Sequence, residues 1–139
     1  MKLTDDKVFI DTNVLVYAYS IDEPQKQQVV QTLVSSQSPL YISTQVINEF
    51  ANVMLRKAVL HSAALLTVIQ ELDQRFYIAT IDTNTITQAL LLVQRYHYSY
   101  FDSLMLATAI QIGCNKIYTE DLHTQQQIEQ QLLIVNPFK

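Results

Sequence analysis

The chain has 139 residues, 49% of them hydrophobic and 16% charged, with a formal net charge of −4 from 9 Lys+Arg against 13 Asp+Glu. This is one domain's worth of sequence, expected to span 1–139, with apolar content enough for a core; it excludes disorder, a transmembrane span and a strongly basic nucleic-acid footprint. One cysteine rules out a disulfide framework or a Cys-based zinc site, one glycine (Gly113) rules out a Gly-rich phosphate loop, and no leader-like run opens the chain, so a soluble cytoplasmic protein is expected.

Residues 7–11, Lys-Val-Phe-Ile-Asp, form a β-branched and aromatic run ending in an acid, and predict a first strand. Residues 12–20 follow as a helix, with Thr12 or Asn13 available as its cap. Pro24 suits the first turn of a second helix carried by Val29, Val30, Leu33 and Val34. Pro39 stops it, and residues 40–42 predict a second strand. Ser43 or Thr44 then caps an amphipathic helix through Val46, Ile47, Phe50, Val53 and Met54 to about Lys57. A helix over 62–74, a strand over 77–79 and helices over 83–96 and 99–112 come next. A strand over 116–119, a short helix over 125–131 and a last strand over 133–135 complete the chain. The alternation predicts an α/β fold: a parallel five-stranded sheet with helices on both faces.

In such sheets ligands bind beyond the carboxyl ends of the strands, near the point where strand order reverses. Asp11 ends the first strand, and Asp121 lies two residues after the end of the fourth, at Thr119. Asp102 falls in the first turn of a nearly all-apolar helix, and Glu49 borders the apolar face of the helix after the second strand. Each has a commoner role: a helix cap for Asp11, a capping-box acid for Asp102, a turn residue for Asp121, a solvated side chain for Glu49. Together, four carboxylates at one sheet edge repel one another unless a counter-charge sits among them. A hard divalent cation, Mg²⁺ or Mn²⁺, is the natural one. Residues 81–84 repeat the Ile-Asp-Thr-Asn of 10–13, but Asp82 follows a short strand expected at the sheet's edge and reads as a helix cap.

Four segments now carry a resemblance: Ile-Asp-Thr-Asn-Val-Leu-Val-Tyr-Ala (10–18), Ile-Ser-Thr-Gln-Val-Ile-Asn-Glu-Phe (42–50), Phe-Asp-Ser-Leu-Met-Leu-Ala-Thr-Ala (101–109) and Ile-Tyr-Thr-Glu-Asp-Leu (117–122). In this order and spacing they resemble PIN-domain ribonucleases of the VapC type, the toxin half of type II toxin–antitoxin pairs. The resemblance implies a three-layer PIN fold with sheet order 3-2-1-4-5. It also implies an acidic cluster of Asp11, Glu49, Asp102 and Asp121, with Asn13 and Thr119 as polar neighbours. The implied activity is Mg²⁺- or Mn²⁺-dependent endoribonuclease action on RNA phosphodiester bonds, with a homodimer and an antitoxin as partners. Thr124-Gln125-Gln126 stands where the family commonly has His-Gly-Gln.

Among other residues, Tyr96, Tyr98, Tyr100 and Phe101 crowd the approach to Asp102; packing is the commoner role, stacking on unpaired bases the alternative. His61, His97 and His123 make no ligand pair, His123 alone lying near an acid of the cluster. Cys114 reads as a small buried residue, and Arg56-Lys57 as a helix-dipole pair with a phosphate contact as the alternative. Two rival functions fit less well. A receiver domain wants a lysine just after the last or penultimate strand, and neither Asn136-Pro137 nor Thr119-Glu120-Asp121 supplies one there; a haloacid-dehalogenase-like phosphatase wants Asp-x-Asp, where Asp11-Thr12-Asn13 has one acid. A catalytically silent binding module of the same fold remains the alternative to an enzyme.

Overall fold

The computed structural model describes residues 6–36 and 38–139; the first five residues of the expected 1–139 domain lie outside it. The fold is a three-layer α/β/α sandwich around a six-stranded sheet of order β3-β2-β1-β4-β6-β5. The strands are β1 Val8–Ile10, β2 Leu40–Ser43, β3 Tyr77–Ala79, β4 Lys116–Tyr118, β5 Gln127–Ile128 and β6 Leu132–Val135. Five of them run parallel in the expected order, β6 being the fifth, and β5 pairs antiparallel at the edge. The central strands are short and apolar because both faces are covered: Phe9, Ile42, Ile117 and Ile134 are fully buried.

The sixth strand corrects the expected helix over 125–131. Gln125, Glu129 and Gln130 have left-handed backbones, with φ of 71°, 52° and 55°, which no right-handed helix accommodates. The segment instead makes a hairpin in which Ile128 pairs with Leu132 and is fully buried.

The helices are α1 Thr12–Leu15, α2 Pro24–Ser35, α3 Thr44–Arg56, α4 Ser62–Arg75, α5 Thr83–Tyr96 and α6 Tyr100–Gln111. The expected helix over 12–20 is thus shorter, a 3₁₀ turn at Val16–Tyr19 taking over from α1. Neither Thr12 nor Asn13 caps it; Asp11 occupies the cap position without a side-chain cap bond. Two serines cap later helices. Ser43 Oγ accepts from the Val46 N–H at 3.2 Å and starts α3; Ser99 Oγ accepts from the Asp102 N–H at 3.2 Å and starts α6. Helix α6 is apolar all round and buried from Ser103 through Ala109, packed against α5 and the sheet. Among the described residues, no helix is long and apolar enough to cross a membrane.

β1 is the hinge of the topology. The chain adds β2 and β3 on one side of it and β4 and β6 on the other, so strand order reverses between β1 and β4. Register aligns Ile10 with Tyr118, bringing the residues just beyond, Asp11 and Thr119, side by side.

Candidate active site

A cleft of about 650 Å³ opens beyond the carboxyl ends of β1 and β4, and Asp11, Asn13, Glu49, Asp102 and Asp121 all line it. The backbone N–H of Asp11 donates to the Tyr118 carbonyl at 3.0 Å, continuing the β1–β4 ladder to the floor of the cleft. There Thr119 Oγ1 donates to Asp11 Oδ2 at 2.7 Å. Asn13 Nδ2 reaches Asp11 Oδ2 at 3.2 Å and Asp121 Oδ2 at 2.9 Å, and its Oδ1 accepts from the Glu120 N–H at 3.2 Å. One neutral amide thus ties the first strand's end to the fourth's.

Glu49 is brought in by α3. The Ser43 cap fixes where that helix begins, and the carboxylate accepts from Thr12 Oγ1 at 2.6 Å and from Gln45 Nε2 at 3.3 Å. Thr12 and Asn13 lie inside α1, after the cap position, and their side chains bond across the cleft instead: Thr12 to Glu49, and Asn13 to Asp11, Asp121 and the Glu120 N–H. Asp102 projects from the first turn of α6, and its carboxylate accepts no hydrogen bond among the described residues; Ser99 satisfies only its backbone N–H. Asp82 makes a full capping box with Thr85 at the start of α5, and those hydrogen bonds hold its carboxyl below the usual range. It does not line the cleft, and β3 before it is an edge strand, so the repeated tetrapeptide is structural.

The electrostatics set Asp11 apart. It is 6% exposed, and burial pushes its carboxyl up from 3.8 to about 6. Hydrogen bonds from Thr119 and the Thr12 backbone oppose that rise, while the charges of Glu49 and Asp102 add to it. Asp22 and Glu23 also line the cleft, where Lys57 is the one basic residue among those described. Among the described residues no three Asp, Glu, His or Cys side chains sit close enough to hold an ion as they stand. The chemistry of the donor set nonetheless fits a hard cation: all its charged donors are carboxylate oxygens, and the most buried of them has no cationic partner among the described residues.

Asp121 is carried by a segment fixed from its outer side. Lys26 pairs with Glu120, Tyr17 Oη donates to Glu120 Oε1 at 2.8 Å, and the Lys26 ammonium lies 4.7 Å from the Tyr17 ring centre and 5.2 Å from that of Phe138. Of the other residues weighed from sequence, Lys57 reaches the cleft while Arg56 does not line it. His123 packs edge-on against Tyr98, and Cys114 is buried. Gln45, Asp22 and Glu23 were not singled out by the sequence, and Thr12 only as a helix cap. Thr12 and Gln45 carry no charge to mark them, and the loop bearing Asp22 and Glu23 reaches the cleft only through the 3₁₀ turn.

The sequence model of the PIN domain matches residues 8–129, and the chain belongs to this family. Its fold is also that of solved toxins. The Mycobacterium tuberculosis toxin VapC20, described as cleaving the sarcin–ricin loop, superposes with a TM-score of 0.67 at 19% identity, over 82% of this chain and 89% of that one. A toxin–antitoxin complex from Klebsiella pneumoniae gives a TM-score of 0.69 at 20% identity, covering 94% and 97%. VapBC2 from Rickettsia felis, bound to a DNA fragment from its promoter, gives 0.65 at 15%, covering 92% and 96%. Among curated proteins no match is found.

Proposed function

We propose that this chain is a single PIN domain over 1–139 acting as a Mg²⁺- or Mn²⁺-dependent endoribonuclease, the toxin of a cytoplasmic toxin–antitoxin pair. The observation that carries the reading is the buried Asp11 carboxylate, without a cationic partner among the described residues, in a cleft that Glu49, Asp102 and Asp121 also line. Asp11, Glu49, Asp102 and Asp121 would hold the metal. When bound, a divalent ion lowers the pKa of its water and offsets charge on the scissile phosphate. The rest falls to the chain itself. Thr119 and Asn13 orient Asp11, Asn13 also orients Asp121, and Thr12 with Gln45 fixes Glu49 as a metal ligand or as the base that positions the attacking water. A cleft so rich in carboxylates suits an antitoxin that places a basic side chain among them, and the resemblance extends to a homodimer.

The test is cleavage of single-stranded RNA by the purified chain, with Mg²⁺ or Mn²⁺ and with chelator. Asp102→Asn and Glu49→Gln are expected to lower kcat/KM by orders of magnitude while far-ultraviolet circular dichroism stays unchanged. Full cleavage by metal-free protein refutes the metal-dependent mechanism. Metal binding without cleavage of any RNA favours a silent binding module.

A further inference from the structure

The fold treats the four aromatic residues before Asp102 unequally. Tyr96 and Tyr98 put their hydroxyls on Glu129 and Gln126, and with Tyr100 they pack partly buried against the core. Phe101 is 62% exposed, its ring meeting that of Tyr100 edge-on at 5.2 Å. It stands where two cavities meet. Phe101, Gln45 and Glu49 line both the acidic cleft and a second cavity of about 470 Å³. Ile81 and Leu104 extend the apolar lining of that second cavity; Thr44 and Asn48 add a hydroxyl and an amide.

Gln45 holds the backbone of Phe101 in place on the wall shared by the two cavities. It is 8% exposed, and its Nε2 donates to Glu49 Oε2 at 3.3 Å and to the Phe101 carbonyl at 3.1 Å. Among the described residues its buried Oε1 has no hydrogen-bond partner, a rare state for a buried amide. An exposed ring beside amide and hydroxyl groups matches a heteroaromatic base, which offers a flat face for stacking and a polar edge for hydrogen bonds. Charge points the same way. Lys57 is the one basic side chain among the described residues lining the cleft, so the chain itself offers phosphates few direct contacts and contacts to bases gain weight.

We propose that Phe101, with Gln45 and Asn48, forms a subsite for an unpaired RNA base beside the scissile phosphate. This deepens the ribonuclease reading and rests on it: the substrate is single-stranded at that position, since a base paired in a helix cannot present its face.

The test measures binding of end-labelled oligo(A), oligo(U) and oligo(C), and of an RNA hairpin, by fluorescence anisotropy in chelator, with cleavage followed in Mg²⁺. Phe101→Ala is expected to weaken binding of single strands by roughly 5- to 100-fold and to raise KM more than it lowers kcat, at an unchanged melting temperature. Phe101→Trp should retain or tighten binding, and Asn48→Ala should alter the order of preference among the three homopolymers. If Phe101→Ala binds and cleaves as the wild type does, the subsite is refuted. If it loses only self-association or hold on an antitoxin, Phe101 is a protein contact and the subsite is equally refuted. A wild-type chain that cleaves no RNA fails the underlying reading instead, and the two failures are distinct.

Discussion

In metal-free protein the buried charge of Asp11 should lower stability at neutral pH, and Asp11→Asn should restore it. The carboxyl titrates at about 6 when folded against 3.8 when free, chiefly because burial strips its water. An acid that holds its proton more tightly in the folded state stabilises the fold fully at pH values below 3.8. That contribution declines as pH rises and is gone once pH has passed about 6. Converted to free energy, the difference is about 3 kcal/mol at neutral pH. Asn keeps the shape, and its oxygen can still accept from Thr119. Urea titrations of both proteins in chelator, between about pH 4 and pH 8, should find them nearly level in acid, with the variant ahead by up to about 3 kcal/mol near neutrality. Adding Mg²⁺ or Mn²⁺ should then stabilise the wild type more than the variant, because stabilisation follows affinity for the folded state. A difference that does not vary with pH, or a variant less stable at neutral pH, would refute the desolvation account of Asp11.

Two further outcomes test neighbouring conclusions. Asp82→Ala removes the capping box of α5 and should lower the melting temperature by a few degrees with RNA cleavage unaffected; loss of cleavage at unchanged stability would place Asp82 in the site. Burial pushes the Cys114 thiol up to about 12, so Ellman's reagent should react with unfolded protein and scarcely with native protein at mildly alkaline pH. Prompt labelling of the native state would contradict its burial.

Much of this fold was legible because its strongest signals are local. Apolar strands such as Val8–Ile10 and the serine caps at Ser43 and Ser99 mark element boundaries within a few residues. The position of an acid after a parallel strand then reports its place in the fold, so Asp11 and Asp121 could be placed together from sequence. The hairpin at the C-terminal end was illegible for the opposite reason. Its turn residues, Glu129 and Gln130, lack the Gly or Asn that usually marks a left-handed backbone. What holds them is distant: Arg95 and Tyr96 of α5 both bond the Glu129 carboxylate, and Tyr96 Oη also accepts from the Glu129 N–H at 2.8 Å. Thr12 was hidden likewise. Its role depends on Glu49, 37 positions away, and nothing near it in sequence distinguishes that from capping.

The pairing of Asp11 with Thr119 joins residues 108 positions apart, and this sets when in the chain's life the cleft can exist. A ribosome that has completed β1 through α5 has delivered Asp11 and Glu49 but neither Asp102 nor the strand that leads to Asp121. At typical synthesis rates the interval between the first and last acid is on the order of 5 to 20 seconds, and long-range parallel pairing closes slowly even then. A growing chain therefore carries no finished acid cluster beside the RNA-rich machine that makes it. Any agent that keeps β4 from docking on β1 leaves Asn13 without Asp121 and Asp11 without Thr119, and dismantles the cleft without touching a carboxylate.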